Sequence, residues 1–153
     1  MLTAWRIVKA KRLSNAFDGE GARLFGGRWN SPGVPMVYLA GSRALAALEM
    51  AVHLDRSTLL ASFALIECSF DESLVAGLAS SALPSDWKTS PPPLALATLG
   101  DTWVKEAKTA ILAVPSAVIE EELNFLLNPG HPDFAKVKIS TPRRFDFDPR
   151  LLK

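Results

Sequence analysis

Alternating and periodic apolar positions divide the chain into strands and helices that follow one another without a regular rhythm. Short apolar or alternating runs predict strands at 2–8, 36–40, 59–70 and 109–114. Helical composition predicts a helix at 43–54, with Ser42 as its N-cap, and another at 94–108, where Gly100 is expected to bend or split the helix. This irregular mixture favours a single compact α+β domain over 1–153, with a mixed central sheet.

Four stretches do not fit this pattern cleanly. Residues 14–33 form a glycine-rich segment too long for an ordinary connection, and such segments are more often functional than idle. The serines and prolines of 80–93 predict a surface loop, which Trp87 would pin to the body. Residues 119–127 could be a short helix or extended chain. Pro142 divides 137–147, which predicts an edge strand or two short pieces.

The loop from Gly26 to Gly33 carries two large side chains among turn-forming residues. Arg28 presents a guanidinium fork that can grip a phosphate or carboxylate through two parallel hydrogen bonds. The neighbouring Trp29 offers a ring for recognition. Most arginines are solvated surface charges, but an arginine with glycines and a tryptophan around it favours a binding role. We therefore interpret this loop as part of an active site.

A carboxylate lies in the apolar face of the first predicted helix. Glu49 shares an i, i+3, i+4, i+7 stripe with Leu45, Leu48 and Val52, so it is expected to point towards the core. A buried carboxylate needs a partner or a raised pKa, because its desolvation is costly. The alternatives are that Glu49 reaches solvent from the edge of the stripe, or that it pairs with an arginine for structure.

Two further polar residues occur beside strands. Tyr38, inside a short strand, is by default a core residue, and its other role would be to stack on a ligand ring. Ser116 follows an apolar strand and Pro115, where it could cap the next element or serve a site at the strand end.

Composition excludes several classes of function. Seventeen basic and sixteen acidic residues give a formal charge of +1, so no global field would hold nucleic acid or an anionic membrane, and an anionic ligand would be small and bound locally. Cys68 is the only cysteine, which excludes an internal disulfide and a cysteine-based zinc site. We find no signal peptide and no apolar run long enough to span a membrane, so we expect a cytoplasmic protein.

Familiar catalytic motifs are absent as well. There is no Gly-x-Ser-x-Gly element, and His53 and His131 show no spacing typical of a triad or a metal site. The pair Gly19-x-Gly21 has Leu24 where a dinucleotide fingerprint requires its third glycine. These observations argue against a serine hydrolase, a metal centre and a Rossmann cofactor site.

An ordered set of short motifs spans nearly the whole chain: Trp5-Arg6, Gly27-Arg28-Trp29-Asn30 with Gly33, Val37-Tyr38-Leu39-Ala40, Glu49 with His53, Val114-Pro115-Ser116 with Asn124, Asn128-Pro129 and His131-Pro132. This set resembles the RES-domain family, which is named for an arginine, a glutamate and a serine. The resemblance implies a fold similar to that of ADP-ribosyltransferase toxins. It also implies a toxin of a bacterial toxin-antitoxin pair that cleaves NAD+ by hydrolysis or phosphorolysis, or that transfers ADP-ribose to a protein.

The resemblance assigns roles by matching position. The catalytic residues would be Arg28, Tyr38, Glu49 and Ser116, and the substrate-binding residues would be Arg6, Gly27, Trp29, Asn30 and Asn124. NAD+ would be a substrate, with no cofactor and no metal. The implied partner is an antitoxin with an Xre-like helix-turn-helix domain, and a homodimer within the toxin-antitoxin complex is compatible with the family.

Two other functions compete with NAD+ cleavage. A toxin that acts on RNA would need a basic stripe with exposed aromatic residues, and the near-neutral charge argues against one. A module that senses a nucleotide without turnover would bind NAD+ and release no nicotinamide.

Overall fold

One mixed sheet organises the protein. The computed structural model describes residues 1–151. Its strands are β1 (Leu2–Lys9), β2 (Val37–Ala40), β3 (Phe63–Phe70), β4 (Val75–Gly77), β5 (Ile111–Pro115), β6 (Leu123–Leu127), β7 (Lys138–Ile139) and β8 (Arg143–Phe145). The order is β4-β5-β6-β2-β1-β3-β7, and β8 also pairs with β3. The β4–β5 pair is parallel and the other pairs are antiparallel, which confirms the predicted α+β class with a mixed sheet.

In residues 1–151, four α-helices accompany the sheet: α1 (Glu20–Phe25), α2 (Arg43–Ala51), α3 (Arg56–Leu59) and α4 (Leu94–Glu106). Helix α2 packs on β1 and β2 and reaches Phe63 of β3, since Leu45 and Ala46 share a cluster with Ile7, Ala40 and Phe63. Helix α4 packs on β5 and β6 through a second cluster, composed of Leu96, Trp103, Leu112, Val114 and Leu126 together with Trp29 and Met36. Residues paired across strands share a face of the sheet, so both helices cover the same face.

The sheet consists of two halves that meet at one point. Strands β1 and β3 pair along their full length, as do β2 and β6. Within the described residues, β1 and β2 share one register pair, Trp5 with Ala40. The guanidinium of Arg6 spans the gap, because its Nη1 donates to the carbonyl of Tyr38 at 3.0 Å and its Nε donates to the carbonyl of Ala16 at 2.8 Å.

Most predicted elements are confirmed, with shifted ends. Ser42 caps α2 as predicted, since its hydroxyl accepts the amide of Leu45 at 3.0 Å, although the helix ends at Ala51. The strand predicted from residue 59 begins at Phe63, because Asp55 and Thr58 form a capping box that starts α3 instead. The stretch 119–127 ends as β6, and 137–147 contains two short strands.

Two predictions need correction. The glycine-rich segment 14–33 is not one long connection, because it includes α1 and the end of the 3-10 turn Ala10–Asn15. Helix α4 runs without interruption through Gly100, so this glycine does not split it. A Cβ atom at Gly100 would lie 1.7 Å from the carbonyl oxygen of Trp29, which shows that glycine is required where the loop crosses the helix. Among the described residues, no helix is long and apolar enough to cross a bilayer.

Candidate functional site

A cleft of about 930 Å³ opens over the join between the two halves of the sheet. Seven of the nine predicted site residues line it: Arg6, Gly27, Arg28, Trp29, Tyr38, Glu49 and Asn124. Ser116 and Asn30 lie behind the wall of the cleft and reach it through Glu49 and Tyr38. The sequence therefore identified side chains that are far apart in the chain and close together in the fold.

The phenol of Tyr38 organises the loop that contains Arg28. Its hydroxyl donates to Oδ1 of Asn30 at 2.6 Å and accepts the amide of Trp29 at 3.1 Å. The amide nitrogen of Asn30 donates to the carbonyls of Ala22 at 2.8 Å and Val34 at 3.1 Å. Because both hydroxyl functions of Tyr38 are engaged, the face of its ring is what remains for a ligand.

Two residues predicted to bind substrate are buried in this loop. Asn30 is 1% exposed and its side chain holds the loop together, so its position corrects the expectation of direct contact with a ligand. Trp29 is 2% exposed and packs against α4, which likewise removes its indole from stacking on a substrate. The large side chains of this glycine-rich loop predicted ligand recognition, but the indole of Trp29 anchors the loop to α4 instead.

Gly27 permits the close approach of the loop and the tyrosine. A Cβ atom at this position would lie 2.6 Å from the hydroxyl oxygen of Tyr38 and 2.9 Å from Oδ1 of Asn30. Burial raises the pKa of Tyr38 well above its ordinary value, and the hydrogen bond from the amide of Trp29 opposes this only in part. The phenol therefore stays neutral and donates to Asn30 throughout the physiological range.

One nitrogen of the Arg28 guanidinium is hydrogen-bonded to the protein backbone. Nη1 donates to the carbonyls of Trp87 and Thr89, each at 2.9 Å, and so ties the loop 80–93 to the cleft wall. Within residues 1–151, Nε and Nη2 make no hydrogen bond and are left for an anion. Trp87 is half-buried against the α4 cluster, which agrees with the prediction that it pins this loop.

The carboxylate of Glu49 is fixed through one of its oxygens. Oε1 accepts the hydroxyl of Ser116 at 2.6 Å and the amide nitrogen of Asn124 at 2.7 Å. The Ser116 hydroxyl in turn accepts the amides of Val118 at 3.0 Å and Ile119 at 3.1 Å. Oε2 of Glu49 has no hydrogen-bond partner within the described residues, so this oxygen is available to a ligand in the cleft.

The helical stripe that contains Glu49 is only partly buried. Leu45 is fully buried, whereas Val52 is 61% exposed because α2 ends at Ala51. The prediction of a buried position for Val52 was therefore wrong. Glu49 is half-buried, and it is paired with neutral donors and not with an arginine, which excludes the structural ion pair considered from the sequence.

Arg6 forms part of the floor of the cleft. Burial lowers the pKa of its guanidinium to about 10, so the group remains charged at neutral pH. Two of its nitrogens donate to backbone carbonyls, one of Ala16 after the first 3-10 turn and one of Tyr38 in β2. Its first role in this structure is thus to hold the cleft floor together.

Sequence reasoning missed Lys88, which lines the cleft from the loop 80–93. No motif surrounds it, and only the fold brings it beside Arg28. His53 also lines the cleft, whereas His131 caps the 3-10 turn Pro132–Lys136. In the part of the chain that the structure describes, no three His, Cys, Asp or Glu residues are grouped as metal ligands would be.

The fold and site together define a single-domain α+β protein with a cleft of about 930 Å³, a carboxylate fixed by neutral donors, and Arg28 and Lys88 in the cleft wall. The model of the RES domain matches residues 3–148, and the chain therefore belongs to the RES domain family, as its motifs predicted.

Relatives match this chain along its length. The Prs ADP-ribosylating toxin of Sphingobium sp. is 38% identical over 97% of this chain and 96% of the relative. A protein named Toxin Res from Photorhabdus laumondii is 40% identical, again over 97% and 96%. The Mycobacterium tuberculosis MbcT-MbcA toxin-antitoxin complex contains a chain with the same fold, with a TM-score of 0.78, 22% identity, and coverage of 98% of this chain and 86% of that chain. MbcT is named an NAD(+) phosphorylase and is 47% identical over 49 residues, which are 31% of this chain and 25% of MbcT.

Proposed function

We propose that this protein is the toxin of a toxin-antitoxin pair and that it cleaves NAD+ at the bond between nicotinamide and ribose. The observation that carries this proposal is the Glu49 carboxylate, held by Ser116 and Asn124 with its second oxygen open to the cleft. Whole-length relatives named as toxins support the toxin role. The volume of the cleft, about 930 Å³, is in the range of sites that enclose small ligands.

The chemistry requires an anion near the reacting sugar. When the glycosidic bond breaks, its electron pair goes to the pyridinium nitrogen and nicotinamide leaves as a neutral ring, so no general acid is needed. The ribose passes through a state with oxocarbenium character, which a carboxylate stabilises. Glu49 would supply this charge and hydrogen-bond the ribose hydroxyls, with Ser116 and Asn124 holding it in place.

The other residues would position the dinucleotide. Arg28 would bind phosphate through its uncommitted nitrogens, and the ring of Tyr38 would pack on nicotinamide or its ribose. Attack on the ribose carbon by water would give ADP-ribose, and attack by phosphate would give ADP-ribose phosphate. Both acceptors use the same bond-breaking step, so the cleft geometry supports hydrolysis and phosphorolysis equally.

Transfer of ADP-ribose to a protein is the second candidate. The relative named an ADP-ribosylating toxin, 38% identical over nearly the whole chain, favours it. The carboxylate would act in the same way, and a protein side chain would replace water or phosphate. Incubation with labelled NAD+, with and without inorganic phosphate and cell extract, separates the three acceptors by the product that takes up the label.

Replacement of Glu49 tests the proposal directly. Glu49→Gln keeps the shape of the side chain and removes its charge, and we expect NAD+ cleavage to fall by about three orders of magnitude, the scale typical of lost electrostatic stabilisation. Glu121→Gln is the matched control, because this acid is exposed and lies outside the cleft. A Glu49→Gln protein with wild-type turnover would remove the assignment, and wild-type protein that binds NAD+ without releasing nicotinamide would indicate a sensor instead.

The partner we propose is an antitoxin with an Xre-like helix-turn-helix domain. The structural neighbour is a toxin solved with its antitoxin, which supports a protein partner for this fold. Co-expression with the protein encoded beside this one should restore growth and abolish NAD+ loss in the cell. Growth arrest that persists with every neighbouring protein would contradict the pairing.

A further inference from the structure

Lys88 is held in the cleft wall directly beside Arg28. Nη1 of Arg28 donates to the carbonyls of Trp87 and Thr89, which are the residues on either side of Lys88. Trp87 is half-buried against the α4 cluster. The chain is therefore held on both sides of Lys88, and the Lys88 side chain lines the same cleft as Arg28.

The ammonium group of Lys88 has a weak partner. Its Nζ lies 2.9 Å from Oε2 of Glu120, and both side chains are about half-exposed. Exposed ion pairs of this kind contribute little to stability, because water and salt screen them. Glu120 does not line the cleft, so an anion in the cleft can draw Lys88 away from it at low cost.

A pyrophosphate in the cleft would need more positive charge than Arg28 supplies. Pyrophosphate diesters carry two negative charges, while Arg28 contributes one positive charge and has already committed Nη1 to backbone carbonyls. Arg6 also lines the cleft, but two of its nitrogens serve backbone carbonyls in the floor. The acidic residues Asp18, Glu20 and Glu49 line the cleft as well and increase the need for a further cation.

We propose that Lys88 is a second phosphate-binding residue, which pairs with one phosphate of a dinucleotide pyrophosphate while Arg28 binds the other. Glu120 holds Lys88 when the cleft is empty and releases it when the ligand binds. This inference rests on the proposed function, since it assigns the pyrophosphate of NAD+ to the same cleft. It also predicts that the site recognises nucleoside diphosphates in general, whether or not they carry nicotinamide.

Calorimetric titration of the full chain with ADP and with adenosine tests the role of the phosphates apart from catalysis. Lys88→Ala should weaken ADP binding at least tenfold and leave adenosine binding unchanged, and Lys88→Arg should restore most of the ADP affinity. Glu120→Gln should tighten ADP binding by about two- to fivefold, because it removes the competing carboxylate. Lys105→Ala is the matched control, an exposed lysine on α4 outside the cleft, and should change neither ligand.

The same variants in steady-state NAD+ cleavage should show a raised KM for Lys88→Ala and little change in kcat. The inference is overturned if Lys88→Ala binds ADP as the wild type does, if it loses adenosine binding equally, or if the wild type binds no ADP. A failure of the proposed function gives a different result. In that case the wild-type protein would bind ADP, Lys88→Ala would still weaken this binding, and no nicotinamide would be released from NAD+.

Discussion

At the scale of single residues, Ser116 shows how a buried hydroxyl can serve a site that it does not touch. It is 0% exposed and does not line the cleft, yet it makes the 2.6 Å bond to Oε1 of Glu49. It also accepts two backbone amides, so all of its hydrogen-bonding capacity is used. Ser116 therefore positions the carboxylate of Glu49.

Ser116→Ala should separate turnover from binding. We expect kcat for NAD+ cleavage to fall about 10- to 100-fold with KM nearly unchanged, because the carboxylate loses one of the two donors that fix it. The free energy of unfolding should fall by about 1–3 kcal/mol, since the amides of Val118 and Ile119 lose their acceptor. Ser85→Ala, at an exposed serine, is the control. A wild-type kcat in Ser116→Ala would show that Asn124 alone holds Glu49.

Tyr38→Phe tests the loop network and its dependence on pH. The variant should lose about 1–3 kcal/mol at pH 8, because Asn30 and the amide of Trp29 lose a buried partner. In the folded protein, burial raises the pKa of Tyr38. The wild type therefore loses the extra free energy of unfolding that the neutral phenol gives it as the pH rises above the ordinary tyrosine pKa of about 10. Urea titrations should show that the difference in free energy of unfolding between the wild type and Tyr38→Phe is smaller at pH 11 than at pH 8. A gap that widens with pH would contradict the raised pKa.

At the scale of elements, the crossing of α4 and the loop 26–33 locks the cleft wall onto the core. The carbonyl of Trp29 approaches the backbone of Gly100 too closely for any side chain at that position. The amide of Ser31 is bound by Asp101 at 2.9 Å, one residue further along the helix. The loop is thus attached to α4 at two adjacent points, which fixes where its arginine can reach.

Gly100→Ala should be among the most damaging single changes that add only a methyl group. The new Cβ would meet the carbonyl oxygen of Trp29 at 1.7 Å, so loop and helix must separate, at a cost of about 3 kcal/mol or more. The ordinary gain of about 1 kcal/mol from replacing a helical glycine does not offset this. Gly21→Ala in α1 is the control, since nothing lies within 4 Å of its added Cβ and it should stabilise slightly. Equal stability of the two variants by urea denaturation would contradict the crossing.

The elements were predictable where the signal is local. Periodicity located the main strands, and Ser42 marked the start of α2, because a cap depends on a few adjacent residues. Glu49 was recognised from helical spacing, although the neutral donors that hold it come from β6 and the end of β5. The motifs placed Arg28 and Tyr38 correctly in one cleft.

Distant contacts were not predictable from the sequence. The glycine in α4 looked like a weakness of the helix, because the loop that needs it lies about seventy residues earlier in the chain. Asn30 looked like a ligand contact, and its burial depends on how three segments fold around it. Lys88 carried no signal at all, since its neighbours in space are far away in sequence.

At the scale of the whole molecule, the cleft lies between two packing units. One unit is the cluster of α2 with β1, β3 and Ala40 of β2, and the other is the cluster of α4 with β5 and β6. Glu49 comes from the first unit, whereas Asn124, Ser116 and the anchor of Arg28 come from the second. A ligand in the cleft therefore links the two units as well as the residues that bind it.

Ligand binding should raise the thermal stability of the whole chain. ADP-ribose at one hundred times its dissociation constant should add about 2.7 kcal/mol, because it binds the folded state alone. For a domain of this size, that corresponds to a rise of about 5–10 °C in the unfolding midpoint. Differential scanning calorimetry with ADP-ribose, and with ribose 5-phosphate as the control, measures it. An unchanged midpoint at saturating ADP-ribose would contradict binding in the cleft.

In the described residues, one register pair, Trp5 with Ala40, joins the backbones of the two halves of the sheet. Elsewhere the strands are joined by ladders of backbone pairs, whereas across this line the described backbone forms one register pair, and the side chain of Arg6 adds a hydrogen bond to the carbonyl of Tyr38. Any change in the angle between the two halves must be absorbed at this line. Such a change would also disturb side-chain packing, because α2 contacts both β1 and β2, and one apolar cluster joins Ala4 and Val8 of β1 to Val37 and Leu39 of β2.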